Sequence, residues 1–289
     1  MGEFIKKILW PIWGPIAFIQ NNFKATLLVL ILFSIFYSSS EDATKSPNLA
    51  KIYITGPILS SDKFLHDLKK AEEQKVKGIL VIVNSPGGAV GPSVEMSMAI
   101  KRTRAKVPVV VYAEDTIASG SYYASIWSNK IIANPGSVVG SIGVIFEGMN
   151  VEPLMKKIGI ESQIVKAGDY KEMGTPTRKW SKLERDGLET VIKDTYAMFV
   201  EDVANARKLD VNRSNEYANA QVFTAREAKK RGLIDETGSI KDAEDAIAKM
   251  AKVETPVWLE KNKMESFVED IASQTATKFI LSFSGLKAY

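Results

Sequence analysis

The sequence predicts an α/β fold of repeated βαβ units, preceded by one N-terminal transmembrane helix. Its 289 residues, 45% hydrophobic and 25% charged, have the composition of a globular protein with a sizeable core. Short apolar runs such as residues 78–83 alternate with amphipathic segments. Apolar runs without polar alternation are typical of strands buried on both faces of a parallel sheet. Residues 8–40 differ from this pattern, because Lys24 is their only charge.

This apolar N-terminal segment predicts a membrane anchor. A helix over about residues 20–39 would cross a hydrocarbon core of about 30 Å, provided that Lys24 extends to the headgroups. Lysines precede the apolar run and two acidic residues follow it, so the positive-inside rule places the N-terminus in the cytoplasm and the rest of the chain outside. We therefore predict a cytoplasmic N-terminus and anchor over residues 1–40 and a linker over residues 41–49.

A cleaved secretory signal is the alternative interpretation of the same segment. Ser38 and Ser40 offer the small residues that a cleavage site requires. The long region before the apolar run, which carries Trp10 and Trp13, favours a retained anchor, because tryptophans are enriched at membrane interfaces.

The remaining chain predicts alternating strands and helices in one α/β domain over residues 50–252. Strands are predicted at residues 51–55, 78–83, 107–113, 130–133, 140–146 and 161–165. Helices are predicted at residues 62–74, 92–104 and 181–208. Residues 253–289 form a C-terminal extension whose apolar end either contacts a substrate groove or the membrane surface, or closes the domain as a packed helix.

Composition excludes several classes of function. The net charge of +4 is too small to indicate a nucleic-acid partner. The absence of cysteine excludes a disulfide framework, a cysteine nucleophile and a cysteine-containing zinc site. A catalytic triad would depend on His66, the only histidine, which lies beside Asp67 on a predicted amphipathic helix and has the pattern of a solvated face.

Two junctions between a predicted strand and a helix are unusual, and ligands of α/β folds bind at such junctions. Residues 84–88 (NSPGG) end the second strand with paired glycines, which let bare backbone N–H groups approach a ligand. This segment is either an oxyanion hole or a turn that needs positive φ. Ser119 follows the third strand among small residues, and it is either a nucleophile or the N-cap of the next helix.

A nucleophilic serine needs a base, and lysine is the alternative to histidine. A lysine can act only where burial or neighbouring positive charge leaves its amine neutral near pH 7. Lys171 lies in residues 167–176, a segment with turn-forming residues at both ends and no helical periodicity. Spacing alone favours Lys171 only slightly over Lys166.

The chain resembles the short form of signal peptide peptidase A, a membrane-anchored serine protease with the fold shared by Clp protease and crotonase. The likeness covers about residues 50–249. It rests on several ordered motifs, at residues 84–88 (NSPGG), 118–123 (ASGSYY), 137–144 (SVVGSIGV), 168–178 (GDYKEMGTPTR) and 220–238 with its GLID core.

The resemblance implies a role for each matched residue. Ser119 is the expected nucleophile, Lys171 the general base, and the N–H groups of Gly88 and Gly120 the oxyanion hole. The family usually has glycine where this chain has Ser121, so Ser121 is a second, decoy serine near the site. No metal or other cofactor is implied.

The resemblance also implies a substrate, a location and an assembly. The expected substrates are remnant signal peptides in the membrane, and no nucleic acid is involved. The expected location is the bacterial inner (plasma) membrane, with the catalytic domain on the periplasmic, extracytoplasmic side. Short forms of the family imply a homo-oligomer in which neighbouring protomers complete each active site.

Two other classes compete with this interpretation. A crotonase-type acyl-CoA enzyme would use the same glycine turn but would work through carboxylates. A non-catalytic membrane scaffold of the same fold would keep the anchor and the oligomer without needing Ser119 or Lys171.

Overall fold

The computed structural model describes residues 21–27, 29 and 46–259. The chain divides into two compact units, Met1–Ser46 and Pro47–Tyr289. In the first unit, residues 23–27 are helical. Among the described residues, no helix has the length and apolar character needed to cross a membrane. Most of the predicted anchor over residues 1–40 lies outside the described residues.

The second unit is built on one mixed sheet. Within residues 46–259 its strands are β1 (Leu49–Thr55), β2 (Gly78–Ser85), β3 (Val109–Ala118), β4 (Lys130–Ala133), β5 (Val138–Gly140), β6 (Val222–Thr224), β7 (Glu236–Thr237) and β8 (Trp258–Leu259). The order is β6-β5-β3-β2-β1-β8, and β4 pairs with both β3 and β7. The long β3 pairs first with β4 and then, nearer its end, with β5. The pairs are parallel except for β5 with β6, which is antiparallel.

Helices cover both faces of this sheet. They are α1 (Asp62–Glu73), α2 (Val90–Thr103), α3 (Gly120–Ser125), α4 (Glu152–Lys157), α5 (Lys182–Arg207), α6 (Ala225–Lys230) and α7 (Ile240–Met250), with a 3-10 helix at Val211–Glu216. Helix α5 begins with a capping box, in which the Ser181 hydroxyl accepts the Glu184 N–H and the Glu184 carboxylate accepts the Ser181 N–H.

The alternating side chains of β2 explain why its sequence is apolar throughout. Ile79, Val81 and Val83 pack in the larger core with α1, α2, α3 and α5. Leu80 and Ile82 pack on the opposite face, in a smaller cluster with α7. A strand covered on both faces has no solvent-facing positions, as the sequence pattern indicates.

Most predicted elements are confirmed, with ends shifted by a few residues. The predicted strand at 140–146 is wrong beyond Gly140, because positive φ angles of 114° at Gly140 and 50° at Ser141 turn the chain out of the sheet. The predicted strand at 161–165 is also wrong, since this segment has no regular secondary structure and pairs with no strand that the structure describes within one protomer. Its apolar residues are exposed instead of paired.

The predicted C-terminal extension, residues 253–289, is described as far as Leu259. There β8 pairs in parallel with the start of β1, at Leu49 and Ala50. The remainder of the extension, including its apolar end, lies outside the described residues.

Candidate active site

Ser119 lies at a strained turn between β3 and α3. Its φ of 52° and ψ of −123° fall outside the regions that non-glycine residues favour. Such a conformation costs about 1–3 kcal/mol and persists only where the surroundings fix it. Here the Ser119 N–H donates to Gly140 O at 2.8 Å, and the Tyr123 N–H donates to Ser119 O at 2.9 Å. Ser119 is half-buried, and a serine on a strained strand–turn–helix junction is a candidate nucleophile.

The Ser119 hydroxyl does not cap the helix it precedes. Although Ser119 occupies the N-cap position of α3, its side chain accepts no capping hydrogen bond. Ser119 is therefore the N-cap residue by position, as one of the two interpretations predicted, but its hydroxyl makes no capping hydrogen bond.

The glycine turn after β2 is held by backbone contacts with Ile58. The Ile58 N–H donates to Gly87 O at 2.9 Å, and the Ala89 N–H donates to Ile58 O at 2.8 Å. Ile58 thus bonds to the Gly87 carbonyl and to the Ala89 N–H, on either side of Gly88. Since successive N–H groups of an extended chain point in opposite directions, the N–H of Gly88 points away from Ile58. A Cβ atom on Gly88 would lie 2.1 Å from Ile58 O, so only glycine fits.

This turn packs directly against the turn that carries Ser119. A Cβ on Gly87 would lie 2.5 Å from Gly120 N, and a Cβ on Gly120 would lie 3.2 Å from Gly88 N and 2.2 Å from Ser93 Oγ. Neither the Gly88 N–H nor the Gly120 N–H donates to any residue that the structure describes. Two unpaired amides beside a serine hydroxyl are the arrangement of an oxyanion hole.

Ser119, Gly88 and Gly120 line one cleft, which has a volume of about 30 Å³. Its walls are mostly apolar, formed by Val90, Val94, Tyr123, Val144, Met198 and Phe199. The sequence analysis assigned none of these residues to a cleft, although Tyr123 and Val144 lie in two of its motifs. The spacing of Thr195, Met198 and Phe199 along α5 is a helical stripe, but periodicity alone does not show that the stripe faces a cleft and not the core.

Tyr123 connects α3, the helix that follows Ser119, to α5. Its hydroxyl donates to Asp202, and its ring packs edge-on against Phe199 with centroids 4.8 Å apart. Burial, followed by the hydrogen bond to Asp202, raises the pKa of Tyr123 well above its usual range. Tyr123 therefore stays protonated and is not a base for Ser119.

Ser121, the second serine of the motif, is a structural residue. It is fully buried. Its Oγ accepts the Ala118 N–H at 2.9 Å and donates to Ser85 O at 2.7 Å. These bonds tie the nucleophile turn to the end of β2.

The structure does not place a general base beside Ser119 within one protomer. Among the described residues that line the cleft there is no lysine, histidine or carboxylate. Lys171 is exposed in a series of turns, where its N–H donates to Gly168 O at 3.2 Å. Its ammonium group makes no ion pair with any described residue. Lys166, the alternative base, is paired with Glu172 at 2.7 Å, and His66 is exposed on α1.

The described residues form no metal site. Within the part of the chain that the structure describes, no group of three or more histidine, aspartate or glutamate side chains is placed to hold a metal ion.

Comparison with known proteins identifies the family of this sequence. Residues 101–254 match the profile of peptidase family S49. A putative protease of Methanocaldococcus jannaschii is 41% identical over 203 residues, 69% of this chain and 65% of that protein. A putative protease of Synechocystis is 37% identical over 70% of this chain and 74% of that protein. A putative signal peptide peptidase of Enterococcus faecium is 32% identical over 88% of this chain and 79% of that protein.

Solved structures support the same fold. The 1510-N membrane-bound stomatin-specific protease, as a serine-to-alanine variant, aligns with a TM-score of 0.52 at 16% identity, over 75% of this chain and 100% of that one. A lysine-to-alanine variant of that protease, in complex with a substrate peptide, aligns with the same TM-score at 17% identity, over 79% and 99% of the two chains.

Replacing Ser121 by alanine tests its structural role. We expect Ser121→Ala to lose about 1–3 kcal/mol of unfolding free energy, because the buried Ala118 N–H loses its acceptor. Denaturant unfolding measures this change. Labelling of Ser119 by a fluorophosphonate should persist in the folded variant. Loss of labelling with unchanged stability would contradict the assignment.

Proposed function

Because the chain belongs to peptidase family S49 and is therefore a serine peptidase, we propose that it degrades remnant signal peptides at the membrane with a Ser119–Lys171 dyad. The observation that carries this proposal is the strained Ser119 turn, whose free hydroxyl faces a cleft with the unpaired amides of Gly88 and Gly120. The family match also confirms the resemblance to signal peptide peptidase A that the motifs indicate.

The mechanism follows from the chemistry of these groups. The neutral Lys171 amine removes the Ser119 proton as Oγ attacks the peptide carbonyl carbon. The carbonyl oxygen becomes an oxyanion that the Gly88 and Gly120 N–H groups stabilise, by roughly 2.7–4 kcal/mol per donor in other serine hydrolases. The Lys171 ammonium then protonates the leaving amine, and a water molecule hydrolyses the acyl-enzyme to release Ser119.

A neighbouring protomer is the proposed source of the lysine. The Ser119 cleft of one protomer lacks a base among the described residues, while Lys171 of the same protomer is exposed. The segment leading to Lys171 also carries exposed apolar side chains, including Ile145 at 81% and Met149 at 77% exposure. Large exposed apolar surfaces mark sites of protein contact. A second copy that covers this segment would bring its own Ser119 towards Lys171, which gives a homo-oligomer with shared sites.

The substrate class and location are proposed on similar grounds. The apolar cleft walls suit the leucine- and alanine-rich core of a signal peptide. The predicted anchor would hold the site at the outer surface of a bacterial plasma membrane. The name of the Enterococcus relative and the description of the 1510-N protease as membrane-bound support this proposal.

The competing functions have less support. A crotonase-type acyl-CoA enzyme requires carboxylates at the glycine turn, and none lines the cleft among the described residues. A non-catalytic scaffold would have no use for the strain at Ser119, which a relaxed turn would avoid.

Substitution of either dyad residue should remove activity. Ser119→Ala and Lys171→Ala should each reduce hydrolysis of a signal-peptide-like fluorogenic substrate to background, because both side chains belong to one proton-transfer unit. Lys229→Ala, which removes an exposed lysine on α6, is the matched control and should keep wild-type activity. Substantial activity in Lys171→Ala would rule out the dyad.

The oxyanion hole predicts a steep effect at Gly88. In Gly88→Ala the new Cβ would contact Ile58 O, so the turn must shift and the Gly88 N–H must move with it. We expect kcat to fall by about 10²–10³-fold, the loss typical of one oxyanion donor. Gly91→Ala is the control, since a Cβ on Gly91 meets no atom within 4 Å. A wild-type kcat in Gly88→Ala would exclude this amide.

Shared sites predict complementation between two inactive variants. When Ser119→Ala and Lys171→Ala protomers are mixed in equal amounts, about one interface in four of a ring joins an intact serine to an intact lysine. Activity should therefore return to about a quarter of the wild-type value. The control replaces Ser119→Ala by the Ser119→Ala/Lys171→Ala double variant, which supplies no lysine. Verified mixed oligomers without activity would show that each chain builds its own site.

A further inference from the structure

A nearly fully buried carboxylate lies in the first turn of α5, the helix that follows the segment carrying Lys171. Glu184 is the third residue of α5 and is 1% exposed. Its Oε2 accepts the Ser181 N–H at 2.8 Å, which completes the capping box. A capping box alone does not require burial, and a buried carboxylate is destabilising unless a cation pairs with it.

Arg178 supplies that cation in a two-pronged contact. Its Nη1 donates to Glu184 Oε2 at 2.9 Å, and its Nη2 donates to Glu184 Oε1 at 2.7 Å. Two parallel bonds fix the plane of the guanidinium group as well as its distance. Arg178, followed by the Ser181 N–H, lowers the pKa of Glu184 to about 2, so the carboxylate stays charged at neutral pH.

The same guanidinium also holds the residue next to Lys171. Arg178 Nη2 donates to Glu172 Oε2 at 3.1 Å, and Lys166 Nζ pairs with that oxygen at 2.7 Å. These contacts make a continuous chain of charges, Glu184–Arg178–Glu172–Lys166. Lys166 precedes the turns that carry Lys171, and Arg178 follows them. The chain of charges therefore links both ends of this segment, through Lys166 and Arg178, to Glu184 on α5.

Backbone bonds within the segment complete its support. The Thr175 N–H donates to Glu172 O at 2.9 Å, and Trp180 Nε1 donates to Thr175 O at 2.8 Å. Lys171 itself is exposed and makes no ion pair with any described residue. The segment is thus fixed around the lysine while the amine is left free.

We propose that Arg178 is a positioning residue, which ties Glu172 to the buried Glu184 and thereby sets where the Lys171 amine is presented to Ser119. This inference rests on the proposed Ser119–Lys171 dyad. A base on a turn without helix or strand needs such a tie, because misplacement of a catalytic group by about 1 Å can cost a factor of about 10² in rate. Arg178 acts through Glu172 and touches neither substrate nor reacting atoms.

The test compares Arg178→Ala and Glu172→Gln with Glu189→Gln. Glu189 also pairs with a lysine on α5, at 3.3 Å from Lys193, but lies outside the chain of charges, so its substitution is the matched control. We expect kcat to fall about 10- to 100-fold in the two test variants, while KM changes by less than about threefold. The control should keep the wild-type kcat. Thermal unfolding of the oligomer reports separately on stability.

Chemical rescue separates positioning from a general structural role. Arg178→Ala leaves a space between Glu184 and Glu172 that a methylguanidinium ion can fill. Added methylguanidinium should restore part of kcat in Arg178→Ala and none in Lys171→Ala. A purely structural role would instead give lower thermal stability, with the remaining folded enzyme showing a wild-type kcat.

Parallel assay of Lys171→Ala distinguishes failure of this inference from failure of the dyad. If Lys171→Ala is inactive while Arg178→Ala and Glu172→Gln keep the wild-type kcat, the positioning role is excluded and the dyad stands. If Lys171→Ala is active, the dyad itself is excluded. Should Arg178→Ala fail to fold, Glu172→Gln decides alone, because it leaves the Arg178–Glu184 pair and the capping box intact.

Discussion

The close approach of two backbone turns is the constraint on which the site depends. Adjacent parallel strands β2 and β3 end at the same edge of the sheet, so the turns that follow them meet there. Gly87, Gly88 and Gly120 leave no room for a Cβ at this contact. The Ile58 bridge leaves the Gly88 N–H pointing away from Ile58, and Gly140 O accepts the Ser119 N–H. The proposed nucleophile and the proposed oxyanion donors are thus positioned by main-chain contacts.

The strain at Ser119 is maintained by the short helix that follows it. Helix α3 has six residues, all buried, and propensity alone would not stabilise a helix of this length. Its side chains anchor it to separate elements: Ser121 binds Ser85 O, Tyr122 donates to Leu233 O at 2.8 Å, and Tyr123 binds Asp202. Together these contacts offset the cost of the turn and prevent it from relaxing.

Features that depend on a short stretch of sequence, such as a buried strand, could be predicted from the sequence. Features that depend on which other part of the fold lies alongside could not. Apolar runs such as 78–83 identified buried strands because burial on both faces removes every polar position. The strand predicted at 161–165 had no such apolar run behind it, since only Ile164 and Val165 are apolar there, and both are exposed with no described strand of the same chain alongside. Ser119 was ambiguous between N-cap and nucleophile, since only the structure shows that its hydroxyl makes no capping hydrogen bond.

The cleft residues on α5 depend on which face of the helix meets α3, and periodicity does not specify that face. Lys171 and Lys166 were nearly equivalent by spacing, and the ion pair between Lys166 and Glu172 now separates them.

The proposed shared site gives one physical explanation for the chain of charges and for the absence of a base among the described residues of the Ser119 cleft. A base that acts on a neighbouring copy must project from its own domain, and a projecting segment cannot be held by the hydrophobic core beneath it. Residues 161–171 are exposed accordingly. Backbone turns and charged hydrogen bonds are the remaining means of fixing such a segment, and a bidentate arginine–carboxylate contact adds geometric specificity. A buried Glu184 gives these bonds a rigid origin on α5. Helix α5 therefore forms one wall of the Ser119 cleft and also anchors the segment that carries Lys171, so a shift of α5 would change both halves of the proposed site together.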